Sequence, residues 1–255
     1  MAQADKELAF GSQITRGDRG MAAKRVQEWL SFHGFATPVD SDFGEATERQ
    51  VKAFQAARSL TGSGVVTQKT WEALTLPLRR AVAPITPTGA DDVASMTLKY
   101  ARQHLAAHPI EIAGPNCGPW VRVYMSGNEG AQWLWCAGFV TTLVRSACEA
   151  LGVAMPIKGS VSCDTLAAQA REKGRFVSGS KVADGSVPLS SLGKCSIFLV
   201  RRTATDWIHT GIAFEPSGET FATIEGNTDA GGSSNGFEAA RRVRNFTKKD
   251  FIRLI

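Results

Sequence analysis

The chain has 255 residues, of which 43% are hydrophobic, and it carries a formal net charge of +5. This length suits one large domain or two modest ones. The basic residues are scattered and match no helix-turn-helix, zinc-finger or RNP pattern, which disfavours nucleic-acid binding. The five cysteines include no CxxC pair, so neither a disulfide framework nor a zinc site is predicted, and no metal or cofactor is expected.

Two targeting signals are missing from the sequence. The first residues lack the basic-then-apolar plan of a signal peptide, so the protein is expected to be synthesised in the cytoplasm without one. No apolar run of about 18 residues is present, so no membrane span is predicted.

The N-terminal region is predicted to contain three short helices after a polar lead-in. Apolar residues at helical spacing predict a helix over 21–33 and a second over 45–59. Thr67 is a good N-cap for a third helix that carries Trp71 and Leu74. Three short helices in under 80 residues form a small domain with a modest core.

This pattern of residues resembles the peptidoglycan-binding domain that is common in cell-wall hydrolases. The matching residues are Val26-Gln27-x-x-Leu30, Asp42-Phe43-Gly44-x-x-Thr47-x-x-x-Val51-x-x-Phe54-Gln55, Gly64-Val65-Val66 and Thr70-Trp71-x-x-Leu74. The resemblance covers about residues 11–76, and it implies bacterial peptidoglycan as the partner. Asp40, Asp42 and Gln55 are the candidates for polar contact with glycan or stem peptide, although an aspartate in this loop also suits a turn cap.

Three prolines in residues 77–91 predict an extended linker rather than a regular element. The domains are therefore expected at 1–76 and 92–255, with a new helix starting at Asp92. A tether between a wall-binding domain and an enzyme raises the local concentration of substrate.

The second domain is organised around Cys136. Apolar residues recur at helical spacing from 136 to 151, which places the cysteine in the first turn of a buried helix. The partial positive charge at a helix N-terminus favours a thiolate. Taken alone, Cys136 is as readily a small core residue.

Downstream residues favour catalysis. His209 lies in a strand-like run, and a short turn at 215–219 leads into a second strand that ends near Glu225 and Asn227. If the chain stays extended, Glu225 and Asn227 point the same way, and one of them can orient the imidazole. Further predicted elements are a helix at 163–173, a buried strand at 195–200 and a closing strand at 250–255. Helices followed by hairpin-connected strands predict an α+β domain with an antiparallel sheet.

The same residues resemble the CHAP group of peptidoglycan amidases and endopeptidases, relatives of NlpC/P60 and papain-like cysteine peptidases. The matching motifs are Trp135-Cys136-Ala137-Gly138-Phe139-Val140, His209-Thr210-Gly211-Ile212-Ala213 and Ile224-Glu225-Gly226-Asn227-Thr228, preceded by Asn116-Cys117-Gly118-Pro119-Trp120. The resemblance covers about residues 95–255 and implies a papain-like fold. It implies Cys136 as nucleophile, His209 as base, Glu225 as orienting group and Asn227 as an auxiliary polar residue. The turn Leu192-Gly193-Lys194-Cys195 departs from the Pro-Gly-Asp-like turn of the family.

The two resemblances together predict a hydrolase that cuts an amide bond of peptidoglycan, either N-acetylmuramoyl–L-alanine or a stem or crossbridge peptide bond. Trp135 and Trp207 flank the motifs and are candidates for stacking on the saccharide, with a place in the aromatic core as the favoured alternative. Without a signal peptide, the protein would act on the periplasm or target-cell envelope after holin-dependent lysis, or after secretion by a cell that carries an immunity protein. The alternatives are an inactive wall-binding protein and a Cys–His acyltransferase.

Overall fold

The computed structural model describes residues 2–255, and its N-terminal region is helical. The helices are α1 (Ala2–Leu8), α2 (Met21–Phe32), α3 (Glu45–Ala57) and α4 (Gln68–Leu74). The last three confirm the helices predicted from apolar spacing, and the hydroxyl of Thr67 accepts a hydrogen bond from the backbone N–H of Thr70, as expected for an N-cap. Helix α1 was missed because its residues are mostly polar, and it is held through buried Ala4 and Glu7.

The predicted linker is partly helical, which corrects the sequence-based description of 77–91. Helix α5 (Leu76–Ala81) runs into it, because a proline is tolerated in the first turn, and Leu78 and Ala81 are fully buried. The side-chain amide of Gln103 donates to the carbonyl oxygens of Ala81 and Ala83, at 2.9 and 2.8 Å. This segment is therefore packed against the second region and does not behave as a free tether.

The second region contains five helices and a single six-stranded sheet. The helices are α6 (Val93–Ala106), α7 (Pro119–Tyr124), α8 (Cys136–Leu151), α9 (Cys163–Glu172) and α10 (Gly179–Ala183). Asp92 and Ser95 form a capping box at the start of α6, which explains why the helix begins there. No helix within residues 2–255 is long and apolar enough to cross a bilayer.

The sheet is antiparallel throughout, and its strands lie in the order β1-β6-β2-β3-β4-β5. The strands are β1 (Phe176–Val177), β2 (Cys195–Thr203), β3 (Asp206–Ser217), β4 (Thr220–Thr228), β5 (Glu238–Asn245) and β6 (Lys249–Arg253). The α+β class and the antiparallel sheet are as predicted, whereas β1 and β5 were not foreseen. Helix α8 packs against β3 and β4 and also against α6. The N-terminus of α8 thus meets the centre of the sheet.

A buried group of charges joins the two regions. Arg122, on α7, donates to the carboxylates of Glu7 and Glu28 at 2.7 to 3.0 Å and to that of Glu129 at 2.8 Å. These four residues are called the interface cluster. Beside them the rings of Trp29 and Trp120 meet edge to face, with centroids 6.0 Å apart. The two regions are therefore held together by specific buried contacts and share one core.

Candidate active site

Cys136 is the first residue of α8, so its backbone N–H is one of those that have no acceptor within a helix. Gly138 allows this helix end to sit deep in the fold, because a Cβ at that position would lie 2.3 Å from the carbonyl oxygen of Tyr124. Gly226 has the same role on β4, where a Cβ would lie 2.7 Å from the Trp135 ring. The glycines of both motifs thus allow α8 and the sheet to approach closely.

His209 and Glu225 meet on the neighbouring strands β3 and β4. The two strands pair with Ile212 opposite Ile224, so Gly211 leaves room for the Glu225 side chain. The Nε2 of His209 hydrogen-bonds Oε2 of Glu225 at 2.9 Å, and both side chains are fully buried. The sequence-based prediction that Glu225 is close enough to orient the imidazole therefore agrees with the geometry.

Glu225 is held by two further residues that the sequence did not indicate. Arg244, on β5, donates its Nε to Oε1 at 2.8 Å and its Nη2 to Oε2 at 2.6 Å. The hydroxyl of Thr223 donates to Oε1 at 2.5 Å. Burial raises the pKa of Glu225, but the bonds to Arg244 and His209 outweigh it and lower the pKa to about 2. The carboxylate is therefore charged at every physiological pH.

The Cys136 thiol lies close enough to the His209 side chain for each group to shift the pKa of the other. Burial lowers the pKa of His209, but hydrogen bonding to Cys136 and Glu225 raises it to about 9. A hydrogen bond from Cys163 is the largest cause that holds the pKa of Cys136 well below its usual value, and His209 acts in the same direction. The Nδ1 of His209 has no hydrogen-bond partner among the described residues. Cys136, His209, Glu225 and Arg244 are called the active-site cluster.

Asn227 does not follow the predicted alternation. Its backbone φ is 57°, in the left-handed region, and the pairing of β4 with β5 is irregular between Glu225 and Thr228. The chain is not extended here, so Asn227 does not share the direction of Glu225 in the way that the sequence suggested. Its side chain is fully buried, and neither polar atom of its amide has a hydrogen-bond partner among the described residues.

The two tryptophans predicted to stack on saccharide are core residues, which corrects that prediction. Trp135 is fully buried, donates to Glu111 at 2.9 Å and stacks on Tyr124 with centroids 5.4 Å apart. Trp207 is 5% exposed and donates to Asp250 at 2.8 Å. Both indole N–H groups are satisfied inside the protein, because tertiary packing covers rings that the sequence only places near the motifs.

The three candidate binding residues of the N-terminal domain have different surroundings. Gln55 is buried, donates to the Val65 carbonyl and to Thr70, and accepts from the Gly64 N–H, so it is a structural residue and the prediction of ligand contact is corrected. Asp40 is exposed but accepts from Gln27 at 2.7 Å and from the Asp42 N–H at 2.9 Å, as a turn cap does. Asp42 is partly exposed and pairs with Arg19 at 2.9 Å.

Among the described residues, the remaining histidines and the acidic residues form no group that could hold a metal ion. His104 is fully buried, and its Nδ1 meets the Tyr124 hydroxyl at 2.8 Å. Burial lowers the pKa of His104 to about 3, so its ring is neutral at physiological pH. Across residues 2–255, no three His, Cys, Asp or Glu side chains are arranged to hold a metal ion.

Comparison with known proteins identifies one part of the chain. Residues 19–74 match a family model described as a putative peptidoglycan binding domain. No curated protein matches the sequence. The N-terminal helical region is thus a peptidoglycan-binding domain, which associates the protein with the bacterial cell wall and supports peptidoglycan as its partner.

Proposed function

We propose that this protein is a peptidoglycan hydrolase that cleaves an amide bond with Cys136 as nucleophile. One observation carries the proposal: a buried Glu225–His209 pair lies beside a thiol at a helix N-terminus, in a chain that also bears a peptidoglycan-binding domain. A thiolate, an imidazolium and an orienting carboxylate are the groups that acyl transfer to sulfur requires. The CHAP-like resemblance of residues 95–255 and the papain-like fold belong to the same proposal.

The acylation step follows from the charges of the site. The Cys136 thiolate attacks the carbonyl carbon of the scissile amide, and the oxyanion that forms is stabilised by the free backbone N–H at the start of α8. His209, protonated at neutral pH, then gives its proton to the leaving amine. Glu225 stays charged and keeps the ring in the orientation that transfer requires.

Deacylation uses the same groups in the reverse direction. Loss of its proton leaves His209 neutral, so it can remove a proton from a water molecule that attacks the thioester. Attack releases the carboxylic acid product and returns Cys136 as a thiolate. The charge of Glu225 favours the imidazolium that forms in this step as well.

The proposed substrates are the N-acetylmuramoyl–L-alanine amide and the peptide bonds of the stem or crossbridge. The same chemistry serves a phage endolysin that is released through a holin and an antibacterial effector whose producer carries an immunity protein. In both settings the protein is made in the cytoplasm and acts on the cell envelope.

A direct test uses the full-length protein and purified sacculi. Wild type is expected to lower the turbidity of the suspension and to release soluble muropeptides. The masses of these muropeptides, measured by mass spectrometry, identify the bond that is cut. Cys136→Ala is expected to abolish both effects while its sedimentation with sacculi is unchanged. Cys148→Ala is the matched control, because it removes another buried thiol of the same helix that lies outside the active-site cluster.

Two outcomes would replace the proposal. Wild type that binds sacculi without releasing fragments would favour an inactive wall-binding protein. A covalent acyl-enzyme that is resolved by an added amine or alcohol but not by water would favour a Cys–His acyltransferase.

A further inference from the structure

A second thiol lies next to the proposed nucleophile. The Sγ atoms of Cys136 and Cys163 are 4.0 Å apart, and both residues are buried and unbridged. Each is the first residue of its helix, α8 or α9. The carboxylate of Asp164 accepts a hydrogen bond from the backbone N–H of Trp207 at 2.7 Å, which fixes the start of α9 against the strand that carries His209. The two sulfurs are therefore brought together by the packing of both helices on β3.

The other cysteines have different neighbours. Cys195 donates to the Ala94 carbonyl at 2.9 Å, and Cys117 donates to the Pro115 carbonyl at 3.4 Å. In the proposed mechanism Cys163 only lowers the pKa of Cys136 and takes part in no bond change. A buried thiol at this distance from a nucleophilic sulfur is a reactive arrangement, because thiolates and their oxidation products react with nearby thiols.

We propose that Cys136 and Cys163 are a redox modification site, which a hydroperoxide converts into a reversible disulfide. In the first step the Cys136 thiolate attacks one oxygen of hydrogen peroxide, the O–O bond breaks, and hydroxide leaves and takes up a proton as water. Cys136 is now a sulfenic acid. In the second step the Cys163 sulfur attacks the Cys136 sulfur, the S–O bond breaks, and the thiol proton leaves with the hydroxyl group as water. Two thiols are oxidised by two electrons, and one peroxide is reduced to two waters.

The two cysteines differ in a way that orders these steps. The pKa of Cys136 is lowered, so its sulfur meets the oxidant as a thiolate. The pKa of Cys163 is raised by its hydrogen bond to Cys136, by burial and by the charge of Cys136. Cys163 is therefore a neutral thiol before oxidation. Once Cys136 becomes an uncharged sulfenic acid, its charge no longer raises the pKa of Cys163. The pKa of Cys163 therefore falls after Cys136 is oxidised, and a larger fraction of Cys163 becomes the thiolate that attacks the sulfenic acid.

The geometric change is small. A disulfide requires an S–S distance of about 2.05 Å, so the sulfurs must approach by about 2 Å. The oxidised protein has no free nucleophile at position 136. Its bridge also prevents further oxidation of Cys136 to the sulfinic acid, which is irreversible. This site concerns the thiols alone and does not require that peptidoglycan be the substrate.

The test treats reduced full-length protein with increasing hydrogen peroxide and maps the products by peptide mass spectrometry without reductant. The expected product is a cross-linked pair of peptides that contain Cys136 and Cys163, with loss of two hydrogens and full return to thiols on addition of dithiothreitol. Cys117→Ser is the matched control, because it removes a more exposed thiol and is expected to leave the cross-link unchanged.

Cys163→Ser and Cys163→Ala are expected to convert Cys136 to sulfinic acid at peroxide doses at which wild type is recovered completely by dithiothreitol. The proposal is overturned if wild-type Cys136 reaches the sulfinic acid without the cross-link, if Cys136 pairs with another cysteine, or if both variants are protected as well as wild type. Since the readout is the mass of the peptides, it gives a result even if the protein hydrolyses no peptidoglycan. Failure of this site and failure of the proposed function are therefore separate findings.

Discussion

The interface cluster and the active-site cluster each contain an arginine that holds buried glutamate, buried Arg122 in the first and partly buried Arg244 in the second, and they differ in which polar atoms they leave unpaired. Arg122 makes five side-chain hydrogen bonds to three carboxylates, which accounts for every N–H that a guanidinium has. In the active-site cluster Arg244 satisfies Glu225, but Nδ1 of His209 has no hydrogen-bond partner among the described residues.

The difference separates a structural cluster from a reactive one. In the interface cluster every N–H of Arg122 already has an acceptor, so this arginine holds the two regions together and has no donor left for a ligand. In the proposed mechanism the active-site cluster keeps a proton on His209 and a thiolate on Cys136 for the substrate. Arg244 keeps Glu225 charged, and Glu225 in turn favours the protonated His209. Buried charge by itself therefore does not mark a functional site.

The largest expected effect comes from comparing two buried histidines. His209→Gln removes the proton donor, so kcat/KM for peptidoglycan cleavage should fall by roughly 10⁴-fold or more. His104→Gln removes a ring of similar burial whose pKa burial lowers to about 3, and it should change activity per folded molecule only a few-fold. Initial rates of muropeptide release, corrected for the folded fraction by circular dichroism, measure both. Similar losses in the two variants would contradict the assigned role of His209.

The next comparison exchanges the two arginines. Arg122→Met removes the guanidinium shared by buried Glu7 and Glu28 and leaves them only Arg25 and Lys24, so the free energy of unfolding should fall by about 3 kcal/mol. Arg244→Met weakens the hold on Glu225, so kcat/KM should fall roughly 10- to 100-fold, the range for a lost hydrogen bond to a charged group of about 1.5–3 kcal/mol. Urea unfolding and cleavage rates are measured on both variants. An Arg122 variant whose folded fraction has lost activity as strongly as the Arg244 variant would remove the distinction between the clusters.

These two arginines also show what the sequence can indicate. Apolar spacing placed Cys136 at the start of a helix, and the hairpin pattern brought His209 and Glu225 onto neighbouring strands, because both depend on local periodicity. Arg244 lies on a strand that also carries Arg241 and Arg242 and that resembles an exposed polar segment. Its contact with Glu225 is set by the β4–β5 register, for which the sequence carried no turn signal.

The errors have the same origin. Trp135 was assigned to substrate because it is next to Cys136, but helix packing turns its ring into the core. Asn227 was assigned the direction of Glu225 on the assumption of an extended strand, and a left-handed residue in an irregular part of β4 breaks that alternation. Cys163 was not considered because nothing in its local sequence indicates that α9 brings it against α8. Contacts between elements that are distant in sequence were the part that could not be predicted.

The pH dependence tests the charges of the active-site cluster. The pKa of His209 is raised from the ordinary 6.5 to about 9, so the imidazolium and its stabilising contribution are complete below pH 6.5 and are lost as pH rises through about 9. Cleavage should therefore decline on the alkaline side near pH 9 as the proton donor is lost. In Cys136→Ala the pKa of His209 should fall, because one of the groups that raises it is gone. The imidazole NMR signal of His209, followed against pH in both proteins, reports the shift, and an unchanged pKa would argue against a thiolate–imidazolium pair.

The smallest expected effects lie in the peptidoglycan-binding domain, where a partly exposed carboxylate and a buried amide are compared. Asp42 is partly exposed and pairs only with an exposed arginine, so Asp42→Ala should change the free energy of unfolding by less than about 1 kcal/mol. If its carboxylate contacts peptidoglycan, sedimentation with sacculi should weaken a few-fold. Gln55→Ala leaves the buried N–H of Gly64 without its acceptor, so it should cost about 1–3 kcal/mol of stability while the folded fraction binds as wild type does. The opposite result would be weaker sedimentation of the folded Gln55→Ala variant with sacculi and unchanged sedimentation of Asp42→Ala. It would contradict peptidoglycan contact by Asp42 and indicate that the region around Gly64 binds peptidoglycan instead.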